Sequence, residues 1–343
     1  AWARTMSVQL DLIIPGLFDL PLETLDPAFL ENSLPALNSI LRYARASKNS
    51  VFELEPILSA CMGWQNYQVL PFAQAFVDQG AGDRHQYILF RPVHLKVDMH
   101  NAIVVPLRNN QTNNDDFLIL INDLKDYFNV DCDIQSVAGG HWLMHLKQCE
   151  PPRHYPHYLS VIGKKADPFT EQSKHRLPWY KLINEMQMYL HAHEINQKRL
   201  QAGLLTINSL WFWGAGSLPQ QSRNRARWVC DDELLKRYAG VSGIETGECA
   251  DLETSHFNQD CIICDLSLLE ALKSDDEMNL QELLQRIEAQ LFNPLLRAVR
   301  TRHCSLKLRA GYQFDYQMRS WSRFKWWRKP KNLLAISEYW NQL

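Results

Sequence analysis

Charge of one sign is missing from this chain: 36 Lys and Arg stand against 38 Asp and Glu, a formal net charge of −2. No overall field gathers nucleic acid or an anionic membrane, so any anion site must be local. Long apolar runs are missing too. The run from Leu10 to Ile14 is interrupted by Asp11 and stopped by Pro15, and nothing approaches the ~18 apolar residues that a membrane helix needs. Paired cysteine motifs are scarce. Of the cysteines at 61, 132, 149, 230, 249, 261, 264 and 304, only Cys261 and Cys264 form a CxxC, inside the apolar stretch DCIICDLSLL. With no second pair and no ligand-spaced histidines beside it, that pair reads as part of a buried strand rather than a zinc or redox site. Reduced thiols in a cytoplasmic protein are expected. The residues AWART precede Met6, which reads as a natural start, and are set aside.

Core material is abundant. Hydrophobic residues make up 46% of 343 positions, with 11 Trp, 12 Tyr and 14 Phe, enough for two domains or one large domain carrying an insertion. Val8 to Ile14 reads as a strand ended by Pro15-Gly16, and apolar residues at 34, 37, 40 and 41 mark an amphipathic helix. Phe52 to Met62 reads as a second helix. Strands at Tyr87 to Asp98 and Ala102 to Leu107, a helix at Phe117 to Phe128, and strands at Cys132 to Val137 and His141 to Leu146 compose an α+β block. A long helix from Trp179 to Arg199 follows. Its His191 and His193 project to different faces, which argues against a shared metal. Asp232 to Tyr238 reads as a helix, Cys261 to Leu266 as a strand, Leu280 to Phe292 as a helix of strong 3.6 period, and His303 to Leu308 as a last strand. The expected division is a core at 6–66, an inserted domain with its connecting helix at 67–204, and a second core part at 205–343.

One stretch organises the rest: Asn196 to Pro219, NQKRLQAGLLTINSLWFWGAGSLP. Ile207 to Phe212 reads as a buried strand of the core, running into the turn Trp213-Gly214-Ala215-Gly216-Ser217. Glycines two apart at a strand end permit positive φ and close approach of backbone N–H groups to an anion. The same pattern also fits a plain glycine turn. Asn196 and Arg199 before the strand, Arg223, Arg225 and Arg227 after it, and Arg91 are the donors that a phosphate or carboxylate would use, or else a solvated basic face. The tail WSRFKWWR, 321–328, has the aromatic and basic interleaving of a single-strand nucleic-acid platform, but with a net charge of −2 it reads better as tryptophans folded onto the core.

That stretch resembles archaeal-type cofactor-independent phosphoglycerate mutases, in which an asparagine and arginine, a glycine, and a strand ending in Trp-Gly-x-Gly occur in this order. The first strand with Pro15-Gly16, the LPALNSIL helix and FRPVHLKVD are similar to the same family. Over most of its length the chain resembles the bacterial regulatory protein RpfE group. The resemblance implies an alkaline-phosphatase-like α/β core, a mixed or parallel sheet flanked by helices, with an inserted α+β domain. It also implies two metal ions and a phosphoserine, whose residues are not in place. Pro15 occupies the position of the first aspartate, Ser59 stands near the expected nucleophile, and neither a DxxxH nor an Asp-His pair follows the central turn, where His256 and His303 are isolated. Two readings remain. One is a non-catalytic regulatory or ligand-binding protein, a pseudoenzyme without cofactor. It would hold a small phosphorylated or carboxylate ligand at Arg91, Asn196, Arg199, Gly214, Gly216 and Arg223, and act through a protein partner. The other is a phosphomutase or phosphatase using Mn, Mg or Zn at a rearranged site built from Asp19, Ser59, His94, Asp98 and Asp265.

Overall fold

The computed structural model describes residues 8–48, 53–64, 69–78, 80, 84–97, 101–107, 115–166, 177–218, 226–252, 257–274, 279–301, 304–310, 314–320, 322, 328–329 and 331–340. The chain divides into two compact units: Ala1–Gly63 with Ser222–Leu272 and Glu277–Leu343, and Trp64–Gln221 with Lys273–Asp276. The first unit opens with β1 (Gln9–Ile13) and β2 (Arg45–Lys48). To the second belong β3 (Tyr87–Val97), β4 (Ala102–Val105), β5 (Cys132–Val137), β6 (His141–Leu146) and β7 (Ser209–Trp213). Then β8 (Arg227–Cys230), β9 (Thr246–Gly247), β10 (Cys261–Cys264), β11 (Ser305–Arg309) and β12 (Phe314–Arg319) return to the first.

The first unit's sheet runs β2-β12-β11-β1-β10-β8-β9. Its five strands from β11 to β9 are mutually parallel, and β12 and β2 close one side antiparallel. Register puts Leu10 and Leu12 level with Leu306 and Leu308 on one neighbour and with Cys261 and Ile263 on the other. That face packs on Leu37, Ile40 and Leu41 of the helix Pro35–Tyr43 and on Leu284, Ile287 and Leu295 of the helices after residue 279. The opposite face carries Asp11, Lys307, Arg309 and Asp315, joined by Lys307–Asp315 at 2.8 Å, Arg309–Asp315 at 3.6 Å and Arg309–Asp11 at 3.5 Å. Two cations facing two carboxylates leave the cluster balanced, and burial still raises the Asp11 carboxyl above its usual range.

Helix Pro35–Tyr43 starts on Leu34, which supplies no side-chain cap. The orphan N–H groups of its first turn find a partner far along the chain: Glu288 accepts from Ala36 N at 2.5 Å and from Leu37 N at 3.1 Å. Glu288 opens a π-helical turn, Glu288–Phe292, between helices Leu280–Ile287 and Asn293–Thr301. The 3.6 period from 280 to 292 predicts the helix but not this widened turn. The carboxylate sits on the positive end of the helix dipole, though its burial raises the carboxyl pKa.

The second unit is antiparallel. Its strands run β4-β3-β6-β5, and β7 also pairs β3, with Leu89 to Val93 against Trp213 to Ser209. The run Ile207 to Phe212, expected to resume the core, therefore lies in the other unit, and the boundary expected at 205 moves to Ser222. All five residues of β7 are buried, and such a run fits the middle of either sheet. The helix expected from Trp179 to Arg199 is two, Leu177–Ala192 and Glu194–Gln201, parted at His193. His193 Nδ1 accepts from Ile195 N at 3.2 Å, so the ring caps the second helix and its Nε2 donates to Asp123 at 3.1 Å. Among the described residues no helix is long and apolar enough to cross a membrane.

Candidate functional site

Ligands of open parallel sheets bind beyond the carboxyl ends of the strands, so the first unit's edge is the place to look. After β1 come Ile14, Pro15 and Gly16, which supply no donor group for a metal there. Gly16, at φ 88°, has a backbone conformation that favours glycine, and a Cβ there would meet Leu272 Cδ1 at 2.9 Å. After β10 comes Asp265, whose N–H donates to Ile13 O at 3.0 Å and ties the two strand ends together. Its carboxylate accepts from Ser267 N at 2.9 Å and from Ser267 Oγ. Arg286 Nη2 donates to Ser267 Oγ at 2.7 Å and stands 3.7 Å from Asp265. After β8, Asp231 accepts from Cys249 N at 2.8 Å and Asp232 caps the helix Glu233–Val241 by accepting from Leu235 N at 2.7 Å.

These groups do not fit a pair of Mn, Mg or Zn ions. Asp231, Asp232 and Asp265 are each engaged by donors, and the Arg286 guanidinium beside Asp265 already supplies the positive charge a cation would bring. The thiols at this edge are protonated: burial pushes Cys230 up to about 12 and raises Cys249 and Cys264 as well. Among the described residues no group of three or more His, Cys, Asp or Glu is placed to hold a metal ion. Cys261 and Cys264, three apart on β10, face opposite sides of the sheet, so the CxxC makes no common site.

The residues of the rearranged site fall in different places. Asp19 is exposed in the turn after β1, and Ser59 is buried inside the helix Leu54–Cys61 rather than at a helix start. His94 is on β3 in the second unit, where its Nδ1 lies 2.9 Å from Thr206 O. Asp98, His256 and His303 lie outside the described residues.

Of the anion-pocket candidates, Arg223 also lies outside the described residues, and the other five are in the second unit. Three of these five serve structure. Asn196 donates to Leu190 O at 2.6 Å and Ile207 O at 2.8 Å and accepts from Ile207 N at 2.7 Å, which exhausts its amide on the loop before β7. Arg199 is 1% exposed, donates to Leu205 O at 2.9 Å, and has Asp116 at 4.0 Å, so no ligand reaches it. Gly214, at φ 74°, is filled by the chain itself: a Cβ there would meet Phe72 Cβ at 3.0 Å and Ala73 N at 3.1 Å, and its carbonyl accepts from Ala73 N. Gly216, at φ 128°, is less crowded, with Pro71 Cβ at 3.5 Å. Arg91 differs from all of these. Its guanidinium lies 5.1 Å from the Tyr158 ring centre and 3.6 Å from where a Gly140 Cβ would be. Sequence reasoning missed its neighbour His141, which opens β6 next to the paired Phe90 and Trp142. The one signal for it was the strand alternation that places His141 on the same face as Arg91.

No protein-family profile matches the chain. It is similar to 2,3-bisphosphoglycerate-independent phosphoglycerate mutases of Methanosarcina mazei, 27% identical over 130 residues, and Methanosarcina barkeri, 29% identical over 119. The matches cover 35% and 32% of this chain and 31% and 28% of those proteins, about a third of their length. Among solved structures, the PH0037 protein from Pyrococcus horikoshii superposes with a TM-score of 0.50 at 14% identity, covering 91% of this chain and 87% of that one. The cofactor-independent phosphoglycerate mutase from Thermoplasma acidophilum gives 0.41 at 14% identity, covering 92% and 89%. The fold is thus of the cofactor-independent phosphoglycerate mutase type, an alkaline-phosphatase-like α/β arrangement.

Proposed function

We propose that this chain is a phosphoglycerate-mutase-like protein that binds a small carboxylate or phosphorylated ligand and regulates a protein partner instead of catalysing turnover. The observation that carries this reading is the Asp265–Ser267–Arg286 arrangement at the end of β10. Phosphoryl transfer of the two-metal kind needs free carboxylates and imidazoles to clamp the attacking and leaving oxygens. Here the carboxylate at the tip of a central strand is bound by a serine and a guanidinium. The resemblance to the bacterial RpfE group supports the regulatory side, and the partial likeness to phosphoglycerate mutases supports descent from an enzyme.

Metal analysis of protein purified with Mn, Mg and Zn present, together with phosphoglycerate mutase and phosphatase assays in manganese, tests the proposal. Substoichiometric metal and no turnover are expected. Two equivalents of metal with turnover that Asp265→Ala or Asp98→Ala abolishes would replace it with the metal-dependent phosphomutase or phosphatase.

A further inference from the structure

We propose that Ser217, activated by His85, is a covalent acyl-acceptor site in the second unit, taking an acyl group from an activated ester or thioester. It goes beyond the ligand-binding reading above, because it needs neither a metal nor the sheet edge of the first unit.

Strand register brings the pair together. β3 and β7 run antiparallel, with Leu89 opposite Trp213 and Val93 opposite Ser209. The same register carried four residues further, from Leu89 back to His85 and from Trp213 on to Ser217, sets these two opposite each other. There Ser217 Oγ lies 2.8 Å from His85 Nδ1. His85 is in the single 3-10 turn Arg84–Gln86 that leads into β3, and Ser217 follows the glycine turn after β7.

One short segment pins both sides. In the 3-10 helix Phe72–Phe76, Ala73 N donates to Gly214 O at 2.9 Å, and the buried Gln74 side chain donates from Nε2 to Arg84 O at 2.8 Å. The backbones that carry the hydroxyl and the imidazole are therefore fixed to the same element, which holds the bond between them in place. Both His85 and Ser217 are exposed, so a reagent reaches them from solvent.

A serine hydroxyl is a weak nucleophile until a base within about 2.6–3.2 Å takes its proton. With the ring proton on Nε2, His85 Nδ1 accepts from the Ser217 hydroxyl. Attack forms the bond from Ser217 Oγ to the acyl carbon and breaks the bond from that carbon to the leaving oxygen or sulfur. The hydroxyl proton passes through His85 to the leaving group. Among the described residues the Ser217 N–H has no acceptor, which leaves that donor for the oxygen on which charge develops. The product is an acyl-serine, a modified chain rather than a turned-over substrate.

The test treats the full chain with p-nitrophenyl acetate near neutral pH and follows acetylated peptides by mass spectrometry alongside the p-nitrophenolate released. Ser217 should be acetylated about 100-fold faster than Ser136, an exposed serine of β5. His85→Gln keeps an acceptor for the hydroxyl but cannot carry its proton, so labelling of Ser217 should slow about 100-fold while the circular dichroism spectrum is unchanged. Ser217→Ala should remove that label and its share of the p-nitrophenolate. Equal labelling of Ser217 and Ser136, or an unchanged rate in His85→Gln, would overturn the site, since a merely structural hydrogen bond predicts both. Labelling of Ser217 as fast in the urea-unfolded chain as in the folded one would overturn it as well. Metal-dependent phosphoryl turnover would sink the regulatory reading without changing this labelling, and unlabelled Ser217 without turnover would sink this site alone.

Discussion

At the carboxyl edge of the first unit Asp231, Asp232 and Asp265 each hold a donor, whereas in the second unit's sheet His141 Nδ1 and Trp213 Nε1 are buried without a hydrogen-bond partner among the described residues. At that edge the three carboxylates serve as caps and strand ties. Buried atoms without a partner occur in both units, at Trp228 Nε1 in the first and Trp213 Nε1 in the second, so the contrast lies in the carboxylates and not in the indoles.

Acid should separate the two units most strongly. In the second unit, His141 and His157 have folded pKa values below the free value of 6.5. The unfolded chain therefore takes up protons first, and stability falls as pH drops from 6.5 toward about 3 for His157, by about 1.4 kcal/mol per pH unit for each imidazole. In the first unit, the raised carboxyls of Asp11 and Glu288 act in the opposite sense. Their contribution is complete below pH 3.8 and is lost as pH climbs through the raised values. Native-state hydrogen exchange read separately in each unit, at pH 7 and pH 4.5, should show the second unit weakening more, and equal slopes would erase the contrast.

Glu288→Ala should cost the first unit about 3 kcal/mol, because two buried N–H groups of helix Pro35–Tyr43 lose their acceptor. Urea denaturation measures it, and a loss under about 1 kcal/mol would mean that water replaces the carboxylate. In the second unit Asn196→Ala should cost about 2 kcal/mol through the three bonds it makes to Leu190 and Ile207. Lys198→Ala should change stability by less than about 0.5 kcal/mol, since its pair with Glu194 is exposed.

The strands and helices with a clean period were legible in the sequence: β1, β3 to β6, β10 and the helix from Leu280 all carry it. β2 was not, because RASK is fully exposed and edge pairing leaves no apolar alternation to read. β7 was legible as a buried strand but not as a neighbour of β3, since pairing partners are set by register and long-range packing. Asn196 and Arg199 were legible in the sequence as possible anion donors, but that each is engaged by backbone carbonyls is a property of the folded chain that residue type does not carry.

The order of strands in the first sheet bears on how the molecule is made. β1 sits between β10 and β11, whose register partners begin at Cys261 and Ser305, some 250 and 295 residues further on. A strand whose partners follow so far along the chain must wait for them before its backbone finds its place, and so distant a pairing slows folding. The second unit, made almost entirely from Trp64–Gln221, has its own partners close by and can condense first. Until β10 and β11 are made, QLDLI has no strand of its own sheet to pair with.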